Sequence, residues 1–161
     1  VVLHIASGLR LASLNRAARP VRYAHETTVT ASFASRYMRM SGIVVLAFIA
    51  YHLAHFTLGI THPEHKAMVD SLGRPDVYSM VVLGFQQPLI SISYIIAMVL
   101  LWFHLNHGAS SMFKSLGLRH PKYNSMLDKA GPAIATLVVG GNIIMPLAIL
   151  AGIIGADVGG N

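Results

Sequence analysis

The chain has 161 residues, 54% of them hydrophobic and only 11% charged, with a formal net charge of +6 and a mean hydropathy of +0.59. Soluble domains carry about 25% charged residues, so a single soluble domain is a poor description. The absence of cysteine excludes disulfides, thiolate-held iron–sulfur clusters and c-type haem attachment from this chain. The basic surplus raises nucleic acid as a partner, but the basic residues lie between apolar runs, where membrane topology accounts for them; no nucleic acid is expected.

In chain order, the first segment is apolar from Val1 to about Leu14 and passes straight into Arg16, Arg19 and Arg22. It reads as the tail of a truncated helix over 1–14. There is no initiator Met and no signal-peptide layout, so the sequence is expected to be part of a longer chain. Three stretches then carry no Asp, Glu, Lys or Arg: Met40 to Pro63, Val77 to Phe113 and Ala130 to Ala156. Each exceeds the ~20 residues that a helix needs to cross ~30 Å of hydrocarbon. They predict complete membrane helices at about 40–60, 86–113 and 131–155, the second starting at Pro88, a residue suited to a first helical turn. The predicted fold is an all-α integral membrane protein, a single transmembrane helical bundle over 1–161, with no internal repeat and no separate soluble domain.

Basic residues orient the bundle. The connection after the first segment carries Arg10, Arg16, Arg19, Arg22, Arg36 and Arg39 against Glu26; the last connection carries Lys114, Arg119, Lys122 and Lys129 against Asp128. The middle connection has only Lys66 and Arg74, against Glu64, Asp70 and Asp76. By the positive-inside rule the first and last connections are cytoplasmic, and the expected location is the cytoplasmic (inner) membrane.

Five of the nine histidines fall in the apolar segments: His4, His52, His55, His104 and His107. An imidazole inside a membrane is costly and points to function, although any one of them can equally serve as a hydrogen-bonded packing residue. Depth separates them. His4 and His104 lie near the cytoplasmic ends of their helices, in the inner half of the bilayer. His52 lies about 18 Å into a helix that runs outward from Met40, in the outer half. An inner pair and a single outer ligand emerge, as would suit axial imidazole ligands of a b-type haem between facing helices. His4 and His104 each begin an H-x-x-x-G pattern, ending at Gly8 and Gly108. A glycine one turn away on the same face leaves room for a flat macrocycle or a close helix. This shared register favours His104 over His107, which remains an alternative ligand. His52 and His55 are three residues apart and share a helix face, so periodicity does not choose between them.

Weaker candidates surround these. Arg39, with Ser41 beside it, and Arg16 are placed to meet a haem propionate or a quinone carbonyl, and an ordinary topology anchor is equally open to both arginines. His62 and His65, in Thr-His-Pro-Glu-His, are either metal ligands or part of a solvated loop. Trp102, Tyr94 and Tyr51 read as packing or interfacial residues, and Asn142 and Pro146 interrupt the last helix without an evident partner.

Taken together, Ala50-Tyr51-His52-Leu53-Ala54-His55-Phe56, Leu101-Trp102-Phe103-His104-Leu105-Asn106-His107-Gly108 and Ser115-Leu116-Gly117-Leu118 resemble the dihaem, single-polypeptide cytochrome b anchor of succinate dehydrogenase and fumarate reductase. Asn15-Arg16-x-x-Arg19 and Arg39-x-Ser41-Gly42 fit the same pattern, and the resemblance covers essentially the whole chain. It implies five membrane helices, of which these segments would be the second to fifth. It also implies two haems b: a proximal one on His4 and His104, and a distal one on His52 and a histidine of the first helix. Electrons would pass between docked flavoprotein and iron–sulfur subunits on the cytoplasmic side and a quinone, menaquinone or ubiquinone, in the membrane lipid. This chain has no dinucleotide fingerprint and no cysteine, so flavin, clusters and dicarboxylate chemistry would belong to the partners. Where some menaquinol-oxidising members carry an intramembrane glutamate, two residues before the fourth-helix ligand, this chain has Trp102.

Two rivals stand beside that reading. One is the cytochrome b of another quinone-linked complex. The quinol:cytochrome c reductase type usually places paired ligands about thirteen residues apart on one helix, and no such pair exists here; the formate dehydrogenase and hydrogenase types are set aside only by the resemblance. The other is a transporter with a histidine relay, which predicts acids beside the histidines; the complete spans contain none.

Overall fold

The computed structural model describes residues 1–18, 33–118 and 120–158, and side chains are described from Arg36 onward in the second stretch. Arg19, Arg22, Glu26 and Arg119, counted above for sidedness, lie outside the described residues. The elements are helices α1 (Val2–Ala17), α2 (Phe33–His52), α3 (Pro63–Lys66), α4 (Val77–Gln86), α5 (Pro88–Ser115) and α6 (Asn124–Leu150), with a π-helical turn, Leu53–Thr57, at the end of α2. Among the described residues there is no strand, only an isolated bridge between Val69 and Pro75. Three helical stretches are long and apolar enough to cross a membrane: Arg36–Thr57, Pro88–Ser115 and Asn124–Leu150. The molecule is an all-α membrane bundle, as expected.

Several boundaries differ from expectation, each for a local reason. The uncharged stretch from Val77 to Phe113 is two helices. Pro88 disfavours helical backbone at the preceding residue, and Gln87 is extended (φ −81°, ψ 113°). Asp76 caps α4 by accepting from the Ser79 N–H at 3.0 Å, and Pro88 opens α5 at its first turn. The buried Ser91 then donates its hydroxyl to the Phe85 carbonyl at the end of α4, 2.5 Å away, which satisfies a group that the break would leave bare. The last helix begins at Asn124 rather than 131, because Asp128 and Lys129 sit on exposed positions of its first turns. It ends at Leu150 rather than 155. Gly152 takes φ +69° and donates to Ile149 O, while Ile153 N donates to Ala148 O, the Schellman closure that stops a helix.

Packing follows small and aromatic residues. The buried positions of α6, Gly131, Ala135, Val139, Pro146 and Ile149, recur at helical spacing and form one stripe. A side chain on Gly131 would run into Ser110 Oγ and the Asn106 backbone oxygen of α5. Small residues let backbones approach in this way within membranes. Farther along, Trp102 Nε1 donates to Thr136 Oγ1 at 3.0 Å, tying α5 to α6 again. At the other end of the bundle Val82, Phe85, Tyr94 and Ile149 form the buried cluster. Gln86 holds the segment after α6 over α4 through Gly155 O and Val158 O, both at 3.2 Å. Pro146 cannot donate to the carbonyl one turn back, and Asn142 directs its amide to Val138 O at 2.8 Å. That contact lies within α6, which runs through both residues without the expected interruption.

Candidate cofactor site

The histidines gather at two stations along α2 and α5. At the first, His4 of α1 and His104 of α5 face each other with ring centres 6.2 Å apart and planes at 89°. Two imidazoles binding one metal ion from opposite sides, through bonds of ~2.0–2.1 Å, hold their ring centres ~6 Å apart. The two imidazoles are therefore close enough to hold one metal ion between them. A side chain on Gly8 would meet nothing within 4 Å, whereas one on Gly42 would touch His104 Cε1 at 3.4 Å and one on Gly108 would touch Met38 Cε at 3.5 Å. The open side of the pair is thus the α1 side, and α2 backs the His104 ring.

Ser41 bridges α2 and His104. Ser41 Oγ lies 2.9 Å from Met38 O and 3.1 Å from His104 Nδ1. Both contacts are hydrogen bonds at once when the hydroxyl donates to Met38 O and Nδ1–H donates to Ser41 Oγ. A neutral imidazole protonated at Nδ1 presents an unprotonated Nε2, the form a metal takes. His107, one turn farther, has its Nε2 3.2 Å from Ser111 Oγ on its own helix. Of the two, His104 is the one whose ring lies against His4.

The second station is built on the π turn. Leu58 N bonds to Leu53 O at 2.8 Å, one residue farther back than in an α-helix, so the turn is wider and His52 and His55 part company. His55 is 3% exposed, its Nδ1 is 3.0 Å from the Tyr94 hydroxyl, and it stacks on Phe56 at 4.0 Å. Gly84 lies beneath it, where a side chain would meet Cε1 and Nε2 at 3.4 Å. His52 instead lines a cavity of ≈ 540 Å³, together with Phe48, Phe56, Lys66, Met80, Tyr94 and Asn142. The wider turn was not legible from the sequence, where the two histidines were equivalent. His52 is exposed on the cavity, and His55 is buried against Tyr94 and Phe56.

The remaining candidates fall away from these stations. Arg39 is exposed and about 200° round α2 from Ser41, so only Ser41 meets His104. Arg16 is exposed near the end of α1. Tyr94, read from the sequence as packing, is 5% exposed and joins the second station through His52, 6.0 Å away between ring centres, and His55. Ser41 was read from the sequence as a propionate or quinone contact and Tyr94 as packing; their contacts with His104 and His55 were not disclosed, because each histidine lies far along the chain. In the α3–α4 connection, Asp70 is held below the usual carboxylate range by the backbone N–H and guanidinium of Arg74. Glu64 is lowered by its own backbone N–H and by His62.

Comparison with known proteins adds no relative: no family model, curated protein or solved structure matches this chain.

Proposed function

We propose that this chain is a haem b-binding membrane anchor that passes electrons between a peripheral partner and a quinone in the bilayer, of the succinate:quinone oxidoreductase kind. The observation that carries the proposal is the first station. Two imidazoles on different helices stand with ring centres 6.2 Å apart, close enough to hold one haem iron between them, and Ser41 beside one of them would hold its Nδ1–H and leave Nε2 for the metal. His4 and His104 would hold the proximal haem. His52 would supply one ligand of a distal haem from the wall of its cavity, and the second ligand would come from outside these residues. Haem bound in this way supplies one-electron transfer. The protein's own part is to fix the ligands, choose their tautomer and keep the site apolar.

Sidedness completes the reading. The connections on either side of the first station carry the basic surplus, which supports a cytoplasmic position for that station by the positive-inside rule and would give flavoprotein and iron–sulfur partners a basic docking face. His52 and its cavity then lie in the outer half of the membrane. The resemblance of the sequence motifs supports the succinate-linked assignment over other quinone-linked cytochromes b.

The test is a dithionite-reduced minus oxidised spectrum with pyridine haemochrome quantitation on the full-length protein, purified from its native membrane. Two haems b per polypeptide, partly reduced by succinate, with copurifying flavoprotein and iron–sulfur subunits, are expected. Absence of haem would overturn the reading. Haem reduced by formate or hydrogen but not by succinate would move the chain to the rival quinone-linked complexes.

A further inference from the structure

Beside the second station, the short helix α3 gathers another set of donors. His62 Nδ1 lies 3.2 Å from Glu64 Oε1, and His65 Nε2 lies 3.9 Å from the same oxygen. One ligand atom from each of the three residues falls within 4.8 Å of the others. Ligands bound at ~2.0–2.1 Å to a tetrahedral ion stand ~3.4 Å apart, so a small inward movement of three side chains would close a site. The two imidazoles are stacked, with ring centres 5.0 Å apart at 17°, and their side chains are only 23% and 15% exposed. A solvated loop would leave them in water. Nε2 is the His65 nitrogen turned toward Glu64, and Nδ1, on the other side of the ring, is buried.

We propose that His62, Glu64 and His65 form a binding site for a divalent transition-metal ion of the zinc class. Two neutral imidazoles and one carboxylate are a borderline donor set that suits zinc and its neighbours rather than calcium or magnesium. Three protein ligands leave a fourth position for water. Pro63 starts the helix that puts His62 and His65 on the same side of Glu64. His62 also abuts the buried His55, with ring centres 5.3 Å apart, so the bound ion pins the α3 connection against the π turn. The site stands apart from the haem proposal, and neither depends on the other.

The test uses Zn2+ itself, titrated by calorimetry into the full-length protein in detergent, with Co2+ absorption as a reporter of tetrahedral coordination. Binding of one equivalent is expected, weakened at least ~10-fold by Glu64→Gln and lost in the His62→Ala/His65→Ala double variant. Helical circular dichroism checks that each variant is folded, and Glu64→Gln, an exposed and near-isosteric change, keeps the test valid if the double variant does not fold. Absence of binding by the native chain would overturn the proposal, as would Zn2+ affinity unchanged in Glu64→Gln and in the double variant. Because the readout is metal affinity, it is independent of haem content.

Discussion

Ser41→Ala is the substitution that isolates the reasoning behind the first station. Ser41 Oγ lies 3.1 Å from His104 Nδ1 and 2.9 Å from Met38 O, and in the argued tautomer Nδ1–H donates to Oγ while the hydroxyl donates to Met38 O. Alanine removes the acceptor and leaves an N–H unpaired in an apolar, half-buried setting, at a cost of ~1–3 kcal/mol. At 1.36 kcal/mol per tenfold, that corresponds to a ~5–150-fold loss in any equilibrium that requires this tautomer. It brackets the 10–100-fold typical of removing a hydrogen-bond partner from a metal-bound histidine. The assay is haem content by pyridine haemochrome, together with the rate of haem transfer from the purified protein to apomyoglobin. The alanine variant should lose haem faster by that factor, and Ser41→Thr, which keeps a hydroxyl on the same carbon, should restore most of it. Haem content and transfer rate equal to the native protein in Ser41→Ala would refute the tautomer argument.

The other predictions are more direct. His4→Ala and His104→Ala should each remove the same haem signal and His52→Ala the other, whereas His107→Ala and His55→Ala should retain both; loss of one haem in His55→Ala would make that residue the ligand in place of His52. Gly131→Ala places a methyl group against Ser110 Oγ and the Asn106 carbonyl and should destabilise the α5–α6 crossing by ~1–3 kcal/mol, read as a lower melting temperature in detergent; an unchanged Tm would show that the crossing yields. Asp76 is held below its usual range chiefly by the Ser79 backbone N–H that it caps, so its contribution is complete at neutral pH and is lost as pH falls through that lowered value. The Tm gap between native protein and Asp76→Ala should therefore narrow on acidification below ~3.9, the unperturbed aspartate value, and a constant gap would contradict the cap.

The spans were legible because uncharged stretches of that length have few other uses, and the inner histidine pair because depth can be counted from the basic ends. What was not legible is where the backbone departs from one period. The π turn at Leu53–Thr57 has no signature that distinguishes it from the helix before it, yet His55 within it is buried while His52 just before it is exposed. The start of α5 at Pro88 was legible; what was missed is α4, the ten-residue helix between the Asp76 cap and Gln87, hidden by the absence of charge across Val77 to Phe113. Ser41 looked like a neighbour of Arg39, since the two are adjacent on paper. Its contact with His104 crosses 63 residues of sequence and depends on how α2 packs on α5.

That packing also sets how the two stations communicate. On α5, His104 and Tyr94 are ten residues apart, ~15 Å along the axis, and on α2 Ser41 and His52 are eleven apart, ~16 Å. Both helices measure the same separation because they run antiparallel, with Ser41 beside His104 at one end and His52 beside Tyr94 at the other. Substitutions more than 7–10 Å apart that share no partner add within ~0.3–0.5 kcal/mol. The factor by which Ser41→Ala speeds haem loss from the first station should then be unchanged, to within about twofold, when His52→Ala is already present. A larger coupling in that double variant would mean that α2 moves as one body when the second station is disturbed, so that the tautomer of His104 is held by the whole helix rather than by the serine alone.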